Sequence, residues 1–564
     1  MPGLEGAGLV VKSDVVIFGG GIAGTLAAIR AAEVGARVVL VEKATVGLSG
    51  CSAFAAGVWP HWDPEIEPDI EPLIHDVVVN NCGYLADVRW VEKASRKGYE
   101  LLNLLIDWGV EFERDQKGHL LKLPIQACRY GRCTPFKGGW HMMWKIRAKA
   151  LEKGVTFVER VCITDLIVED GRVAGAVGFH TRSGQFQIFL AKATINAAGG
   201  IVLGSPTATV TGEGQIMALR AGAKLRNVDM FGAWSGGSPR GMDSAVHHVS
   251  FGSGVKLLNA VGEDVMKKHF KDVMGRPGRA ILMENLEGNG PVCFDATGLD
   301  PARLLSIKTA LPVWTRILAA EGKDIARDKI EFVAWPSTSY MHGPGIKCDH
   351  DGYTGLPGFY AAGSSGDPGT GIVDSTTAAC LSGHGALGWF AGEAAADYAS
   401  TVDLPNVSEP LIERLKKNTF APMAEGRDMD SDGLLVRLRR TWAQHLWLIR
   451  NERRLKEGQR LLSEMVEHDL PRLRARDAHE LRKVHEVAGS VMLTEIACRG
   501  ALMRKETRGY GPLVYREDYP FTDNENWLKW IVASMNPDGE VSLTPTPLSD
   551  EEMRWRPGRE ENAK

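Results

Sequence analysis

Residues 14–43 read DVVIFGGGIAGTLAAIRAAEVGARVVLVEK, and this stretch decides the fold. An apolar run leads into a glycine turn, a segment with helical apolar spacing follows, and a second apolar run ends in an acid, which is the order of a βαβ unit. Gly19 permits the tight turn, Gly21 lets the backbone approach a pyrophosphate, and Gly24 lets the helix pack on the strand. The sequence therefore predicts a dinucleotide site in an N-terminal Rossmann-like domain.

The acid that ends this unit and the start of its helix carry the rest of the signature. Glu42 stands 18 residues after Gly24, where its carboxylate can accept hydrogen bonds from both ribose hydroxyls and would repel a 2′-phosphate. The helix N-terminus, at Ile22 and Ala23, can donate backbone amides to the phosphates. We expect Lys43, the residue after the acid, to border the same site.

Composition limits the class of protein. The chain has 564 residues, 44% hydrophobic and 24% charged, which is globular composition for two to four domains. The net charge of −4 and the pI near 6.5 offer no basic surface for nucleic acid or a membrane. The start lacks a signal-peptide pattern, and no run of about 18 apolar residues occurs. We expect a soluble, cytoplasmic protein with a small-molecule substrate, no nucleic-acid partner and no membrane insertion.

The cysteines indicate that any electron transfer involves a second molecule. Nine cysteines are scattered without a CxxC pair, so the usual local spacing for an iron–sulfur cluster or zinc ribbon is missing. Asp349, His350 and Asp351 have a spacing that suggests a metal site, but a solvated turn explains them better. The sequence predicts no metal centre, and a ferredoxin-like iron–sulfur protein is a candidate electron partner.

Two distant segments favour flavin over nicotinamide. Residues 190–200 (LAKATINAAGG) indicate another buried strand that ends in small residues, and residues 355–371 (GLPGFYAAGSSGDPGTG) repeat the pattern. Returns of the chain to the dinucleotide domain, separated by over 100 residues, are the layout of two-domain FAD enzymes. The cofactor candidates in these segments are Ala198, Gly199, Gly363 and Ser364.

At this point the sequence resembles the succinate dehydrogenase/fumarate reductase flavoprotein family. Within it, the chain is most similar to the α subunits of adenylylsulfate reductases. The resemblance spans nearly the whole chain, and its landmarks include FGGGIAG (18–24), SGCSAFAAG (49–57), TGEGQIMALRAGA (211–223), LPGFYAAGSS (356–365) and RKETRGYGPLVYREDYP (504–520).

The resemblance implies an α/β fold with three parts. A Rossmann-like FAD-binding domain would comprise residues 1–229 and 336–404, and an inserted, mobile α+β capping domain would comprise residues 230–335. Residues 405–564 would form a C-terminal helical domain and tail. Helical spacing supports the third part, in Leu434, Leu435, Leu438, Trp442, Leu446 and Ile449.

Residues 45–57, TVGLSGCSAFAAG, carry no charge and are mostly small. The resemblance implies that this segment runs along the isoalloxazine, with Ser49 or Ser52 bonding its polar edge; Cys51 and Gly57 belong to the same segment. Gly50 replaces the histidine that bonds covalently to flavin in succinate dehydrogenases, so we predict noncovalent FAD. By the same resemblance, Glu213 is a FAD contact, Ser364 replaces the family's glutamate, and Ser375 and Thr376 start a helix at the pyrimidine end of the flavin.

The cationic groups with which fumarate reductases hold two carboxylates are altered here. No histidine lies between Asp229 and Gly241, Phe251 and Ser339 stand at an arginine and a histidine position, and Thr370 lies near a second arginine position. Because a desolvated dicarboxylate without cationic partners would cost several kcal/mol per charge, the substitutions argue against succinate or fumarate. The remaining substrate-pocket candidates are Trp234, Phe251 and Arg276, and the proton-carrier candidates are Arg279, Tyr340 and His342.

The sequence therefore favours an FAD-dependent oxidoreductase that transfers hydride between the flavin and a substrate less anionic than a dicarboxylate. Two alternatives stay open. One is an adenylylsulfate reductase-like α subunit that works with an iron–sulfur partner. The other is a flavin electron-transfer subunit without substrate chemistry of its own.

Overall fold

The apolar runs on either side of the glycine turn form neighbouring parallel strands. The computed structural model describes residues 4–55, 57–124, 128–203, 209–230, 253–269, 277–334, 338–341, 344–371, 377–509 and 515–557. The strands up to residue 226 are β1 (Leu9–Phe18), β2 (Val38–Glu42), β3 (Val58–His61), β4 (Leu123–Pro124), β5 (Arg132–Pro135), β6 (Thr156–Glu159), β7 (Val161–Glu169), β8 (Arg172–His180), β9 (Phe186–Asn196), β10 (Ile201–Leu203) and β11 (Leu225–Arg226). The helices in this part are α1 (Leu4–Ala7), α2 (Ile22–Glu33), α3 (Gly50–Ala53), α4 (Glu71–His75), α5 (Val88–Asp107), α6 (Gly139–Glu152) and α7 (Glu213–Arg220).

The largest sheet has the order β6-β2-β1-β9-β8-β7, and a further strand, β17 (Phe359–Ala361), pairs with β9. β1 is parallel to β2 and to β9, with Val15 opposite both Val38 and Ala193. β17 is also parallel to β9, so both distant segments return to this sheet, as predicted. The antiparallel strands β7 and β8 extend it on the far side of β9.

Helix α2 packs against a long later helix, α12 (Leu381–Thr401), without intervening side chains. A Cβ on Gly388 or Gly392 of α12 would lie 2.3 Å from the carbonyl oxygen of Ala23 or Ala27. The two backbones therefore touch, and only glycine fits at these crossings. This contact fixes the start of α12 beside the glycine turn.

Residues 253–334 form a small α+β unit. Its sheet consists of β12 (Lys256–Leu258), β13 (Cys293–Asp295) and β14 (Ile330–Glu331). Its helices are α8 (Val265–His269), α9 (Pro277–Leu286), α10 (Pro301–Ala310) and α11 (Pro312–Ala320). The next strands along the chain are β15 (Thr338–Met341), β16 (Gly345–Lys347), then β17, and β18 (Gly366–Asp367).

The C-terminal part combines a helical bundle with a β-hairpin. The helices are α13 (Glu409–Phe420), α14 (Ser431–Thr441), α15 (Glu452–Glu464), α16 (Ala478–Met503) and α17 (Asn524–Trp527), and the strands are β19 (Ile449–Arg450), β20 (Tyr515–Arg516), β21 (Lys529–Met535) and β22 (Val541–Pro547). Apolar spacing predicts a helix over residues 434–449, but the observed α-helix is shorter. Helix α14 ends at Thr441, a π-helical turn follows, and Ile449 lies in β19. The hairpin β21–β22 pairs through β11 with β16 and β18, so the last part of the chain also contributes to a sheet.

None of the nine cysteines forms a disulfide. Among the residues described above, no helix is both long enough and apolar enough to span a membrane.

Candidate active site

The glycine turn closes tightly between β1 and α2. Gly19 has a φ of +108°, and a Cβ there would lie 2.2 Å from the carbonyl oxygen of Ala197, which follows β9. A Cβ on Gly24 would lie 1.9 Å from the carbonyl oxygen of Gly19. Gly21 is the N-cap of α2, and its φ and ψ are extended. Gly19 therefore lets the turn approach the end of β9 closely, and Gly24 seats the helix on the turn.

Glu42 ends β2 and organises the turn. One carboxylate oxygen accepts the Gly20 amide at 2.5 Å, and the other accepts the Ala44 amide at 3.0 Å and the Ser49 hydroxyl at 3.2 Å. The side chain is buried and lines the same cavity as the glycines. Because a carboxylate offers about four acceptor positions, the two backbone amides and the Ser49 hydroxyl, whose single proton the Thr45 carbonyl also attracts, leave room for a ribose hydroxyl.

The small-residue segment supplies one wall of that cavity. Helix α3 begins at Gly50, which has a φ of +72° and leaves the wall without a side chain. The hydroxyl of Ser52 accepts the Ile22 amide at 3.0 Å, and that of Ser49 donates to the Thr45 carbonyl at 2.9 Å. Both serine hydroxyls therefore hold the wall to its neighbours.

Most predicted cofactor residues line one cavity. Those are Gly19, Gly21, Ile22, Ala23, Glu42, Lys43, Ser49, Gly50, Cys51, Ser52, Ala198, Gly199, Glu213, Gly363 and Ser364. Gly24 lies beneath the turn, and Gly57 lies at the start of β3, where its carbonyl accepts the Phe136 amide, so neither lines the cavity. Ser375 and Thr376 fall outside the described residues.

The cavity has further lining residues that are not among the predicted cofactor residues. They are Phe18, Gly20, Val41, Ala55, Val58, Val161, Ile163, Ala197, Thr209, Val210, Met217, Cys380, Leu381 and His384. The i, i+4 spacing of Cys380 and His384 at the start of α12 is the sequence signal that these two share a face. The apolar residues come from strands whose partners a single sequence does not reveal.

A buried charge network closes the cavity beside Lys43. The Lys43 ammonium donates to Glu213 at 2.5 Å and to the Thr211 hydroxyl at 3.1 Å, and it lies 2.9 Å from Glu486 of α16. Burial alone would lower the pKa of Lys43, but the two carboxylates raise it above its ordinary value. Burial would likewise raise the pKa of Glu213, but Lys43 lowers it. Lys43 and Glu213 are therefore charged, and the lysine faces protein carboxylates.

The cavity and its open mouth together contain about 1340 Å³ of space outside the protein atoms. Its lining matches the parts of FAD: apolar side chains for the rings, the α2 N-terminus for the pyrophosphate, and Glu42 for a ribose. Gly19, Gly21 and Gly50 line it without side chains. The residues present therefore fit FAD.

Most of the predicted substrate side falls outside the described residues. This applies to Trp234, Phe251, Arg276 and His342. Tyr340 lies in β15, which pairs with β10 through Ile201 opposite Met341. Since β10 directly follows Gly199 of the cavity wall, the backbone at Tyr340 runs beside the cofactor site.

Arg279 lies in the first turn of α9 and does not line the cofactor cavity. Its guanidinium carbon is 4.0 Å from the centre of the Tyr515 ring, and its buried Nε has no hydrogen-bond partner among the residues that the structure describes. Burial lowers the pKa of this arginine. Arg279 is thus a partly desolvated cation held by an aromatic face.

Residues 349–351 form a turn. The Asp349 carboxylate accepts the Asp351 and Tyr353 amides at 2.9 Å, and the His350 ring is 2.9 Å from Asp87, the N-cap of α5. Among the described residues, no group of three His, Cys, Asp or Glu side chains is placed to hold a metal ion. The spacing of residues 349–351 reflects hydrogen bonding within the turn.

A parallel βαβ unit, two returning strands and a cavity shaped for a dinucleotide define a flavoprotein of the two-domain FAD-binding class. The chain belongs to the FAD-binding domain family, whose model matches residues 14–375, and residues 436–561 match the C-terminal domain of fumarate reductase flavoproteins. It is therefore an FAD-dependent oxidoreductase of the succinate dehydrogenase/fumarate reductase type, as the resemblance predicted.

Named relatives match over nearly their full length. One of them, from the fumarate reductase (CoM/CoB) of Methanothermobacter marburgensis, is 28% identical over 560 residues, which cover 93% of this chain and 97% of that protein. The succinate dehydrogenase flavoprotein subunit of Rickettsia conorii is 26% identical over 596 residues, with 96% of each chain covered.

Solved structures share the fold. An E. coli quinol fumarate reductase flavoprotein superimposes with a TM-score of 0.84 at 22% identity, over 96% of this chain and 97% of that one. The adenylylsulfate reductase of Archaeoglobus fulgidus superimposes with a TM-score of 0.78 at 24% identity, over 97% of each chain.

Proposed function

We propose that the chain binds FAD noncovalently and exchanges hydride between it and a small substrate less anionic than a dicarboxylate. Bound FAD would supply a ring that accepts and returns two electrons as hydride. Gly50 supports the noncovalent part, because it offers no side-chain atom for a bond to the flavin. The chain's own residues would bind and orient the cofactor and manage the substrate's charge and proton.

Orientation of the cofactor would come from the backbone around the glycine turn. The α2 N-terminus lines the cavity from Gly21 to Ala23, where amides and helix dipole favour phosphate. Glu42 would take one ribose hydroxyl while it keeps the turn closed. The wall from Ser49 to Ser52 would lie along the isoalloxazine and exclude water from it.

The observation that carries the substrate class is the loss of the cationic residues at the family's carboxylate-binding positions. Two buried arginines do not replace them, because carboxylates of the protein neutralise both: Arg226 lies 3.5 Å from Asp367, and Arg504 pairs with Asp229. Together with the substitutions at Phe251, Ser339 and Thr370, this leaves few groups to hold two carboxylates. A substrate with one negative charge, or none, avoids the desolvation cost.

Arg279 is the proton carrier that geometry favours among Arg279, Tyr340 and His342. Its guanidinium is partly buried, and among the described residues no carboxylate lies within ion-pair distance of it. It could therefore pair with a substrate group or pass a proton to it, once residues 230–335 cover the FAD-binding domain as we propose for a capping domain. The domain limits 1–229, 336–404 and 405–564 belong to the same proposal.

The test compares fumarate with monomethyl fumarate, which keeps the olefin but loses one charge. The purified, FAD-loaded protein is photoreduced without oxygen and mixed with each compound, and flavin reoxidation is followed near 450 nm. The proposal expects the monoester to reoxidise the flavin at least as fast as fumarate does. Fumarate that reacts tenfold faster than the monoester would refute the substrate class.

We also propose an iron–sulfur protein as electron partner. No two of the nine cysteines have CxxC spacing, so one-electron centres would have to come from outside the chain. This arrangement also suits an adenylylsulfate reductase-like α subunit. Adenylylsulfate belongs in the same reoxidation assay, where release of sulfite and AMP would select that alternative.

A further inference from the structure

Helix α12 begins at the FAD cavity and runs parallel to α2. Its N-cap, Cys380, and its first residue, Leu381, both line the cavity. Gly388 of α12 meets the carbonyl of Ala23, and Gly392, one turn later, meets that of Ala27. The contacts advance in the same direction along both helices, so the two N-termini lie on the same side. Two positive helix ends therefore open towards one cavity.

His384 lies in the first turn of α12 and lines the same cavity. It stands one turn before Gly388, so the parallel packing places it level with the glycine turn that precedes α2. A Cβ on Gly363 would lie 2.6 Å from the Cβ of Ala23 and 4.0 Å from the Cβ of His384. His384 and the start of α2 therefore flank the same point of the cavity wall, where the phosphates are expected.

Few side chains of the cavity lining can carry positive charge. Among the lining residues that the structure describes, they are those of Lys43 and His384. The Lys43 ammonium lies 2.5 Å from a Glu213 oxygen and 2.9 Å from a Glu486 oxygen, so protein carboxylates already balance its charge. The pyrophosphate of FAD carries two negative charges. Within this lining, His384 is therefore the side chain that can offset them.

The other titratable groups that share the cavity with His384 and Lys43 are carboxylates and thiols. They are Glu42 of β2, Cys51 of α3, Glu213 of α7 and Cys380 at the N-cap of α12.

The elements packed against the first turn of α12 present apolar side chains there. A Cβ on Gly385 would lie 3.1 Å from Leu26 of α2, 3.4 Å from Leu101 of α5 and 3.6 Å from Trp59 of β3. Charged side chains of α2 and α5 meet α12 further along the helix: Arg30 donates to Glu393 at 2.5 Å, and the Lys97 ammonium lies 5.7 Å from the centre of the Trp389 ring. Neither of these cations lines the cavity, so His384 is better placed for the phosphates.

We propose that His384 is a phosphate-binding residue of the FAD site and that its imidazolium pairs with the pyrophosphate. A histidine changes its charge between about pH 5 and pH 8, and a nearby anion favours the protonated form. Binding of FAD therefore takes up protons from solvent, and FAD affinity falls as the pH rises through this range. The inference rests on the noncovalent FAD of the proposed function and is independent of the substrate.

The experiment measures binding of FAD to the full chain after its own flavin has been removed. Calorimetry in HEPES and in Tris, two buffers with different ionisation enthalpies, gives the number of protons taken up, and titrations from pH 6 to pH 8.5 give the affinity. Riboflavin, which has the ring system and no phosphate, is the second probe. The variant is His384→Gln. His180→Gln at the end of β8, a histidine that does not line the cavity, is the matched control.

The proposal expects the wild type and the His180→Gln control to take up protons with FAD but not with riboflavin, and to bind FAD at least tenfold more weakly at pH 8.5 than at pH 6. His384→Gln should bind FAD at least tenfold more weakly than the wild type at pH 6, without the proton uptake.

The proposal is overturned if wild-type binding of FAD takes up no protons, if His384→Gln retains the uptake, or if riboflavin causes the same uptake as FAD. The wild-type measurement decides the matter even for a variant that does not fold. A wild-type chain that takes up no FAD, or whose flavin cannot be removed without breaking a covalent bond, refutes the proposed function itself.

Discussion

At the scale of single residues, the glycine signature was predictable because each glycine answers a local steric need. Gly19, Gly21 and Gly24 could be assigned from spacing alone, and the short Cβ distances at Gly19 and Gly24 explain two of them. The sequence could not indicate that the Glu42 carboxylate accepts hydrogen bonds from the protein itself, since the Gly20 and Ser49 donors come close to it only in the folded chain.

Gly24→Ala is expected to destabilise the protein and to lower its FAD content. The added Cβ would collide with the Gly19 carbonyl at 1.9 Å, and overpacking of this kind costs about 1–3 kcal/mol. Urea unfolding and the flavin-to-protein absorbance ratio measure the two effects. Gly298→Ala, where a Cβ meets nothing within 4 Å, should leave both unchanged. Equal stability of the two variants would contradict the close packing of helix and turn.

Glu42→Ala is expected to weaken FAD retention at least tenfold. The change removes three acceptor contacts that shape the turn as well as the ribose acceptor. Equilibrium dialysis of the flavin measures retention, and Glu65→Ala on the exposed surface is the control. Retention equal to that of the wild type would remove Glu42 from the binding site.

At the scale of elements, α16 reaches the cofactor cavity from the far end of the chain. Its Glu486 lies 2.9 Å from the Lys43 ammonium, and a Cβ on its Gly489 would lie 2.8 Å from the Glu213 backbone. Apolar spacing predicts a helix over residues 434–449, and α14 confirms its first part. No such pattern could indicate that α16 meets the cavity, because Lys43 and Glu486 are more than 400 positions apart in the sequence.

Glu486→Gln is expected to reduce FAD affinity more than it reduces stability of the apoprotein. Lys43 would lose one of two carboxylates and retain Glu213 alone, and the balance of buried charge beside the cavity would change. Flavin titration and thermal unfolding with and without FAD separate the two effects. Glu495→Gln on the same helix is the control, since that residue pairs with Arg499 instead. A similar loss of affinity in both variants would assign the effect to the helix in general.

Helices α8 and α9 are joined through one buried carboxylate. The Glu284 carboxylate accepts hydrogen bonds from Asn259 at 2.8 Å and from His269 at 2.6 Å. It also lies 2.9 Å from the Lys268 ammonium. Burial alone would raise the pKa of Glu284, but these partners lower it to about 2. A lowered folded-state pKa stabilises the protein above the ordinary pKa of 4.5, and this stability disappears as the pH falls from 4.5 towards 2.

Glu284→Gln should therefore flatten the decline of unfolding free energy between pH 4.5 and pH 2. Denaturant unfolding at several pH values measures the slope for wild type and variant. Glu413→Gln, at an exposed position of α13, is the matched control. An unchanged slope in Glu284→Gln would show that the carboxylate stays equally protonated in folded and unfolded chains.

At the scale of the whole molecule, the α/β fold with its FAD-binding part could be predicted because the signature at residues 14–43 and the returns at 190–200 and 355–371 each leave a local pattern. The hairpin β21–β22 could not be predicted as part of a sheet with β11, because pairing partners so distant in sequence share no local signal. The contacts at the FAD site follow the predicted motifs, whereas its apolar walls come from strands placed by tertiary packing.

The account depends most on noncovalent FAD in this cavity. The direct measurement is the absorbance spectrum of the purified chain, followed by acid precipitation and separation of supernatant from pellet. The account predicts a yellow protein with a flavin band near 450 nm, and recovery of that flavin as FAD in the supernatant. A protein that is colourless and takes up no added FAD, or a flavin that stays with the precipitated polypeptide, would contradict it.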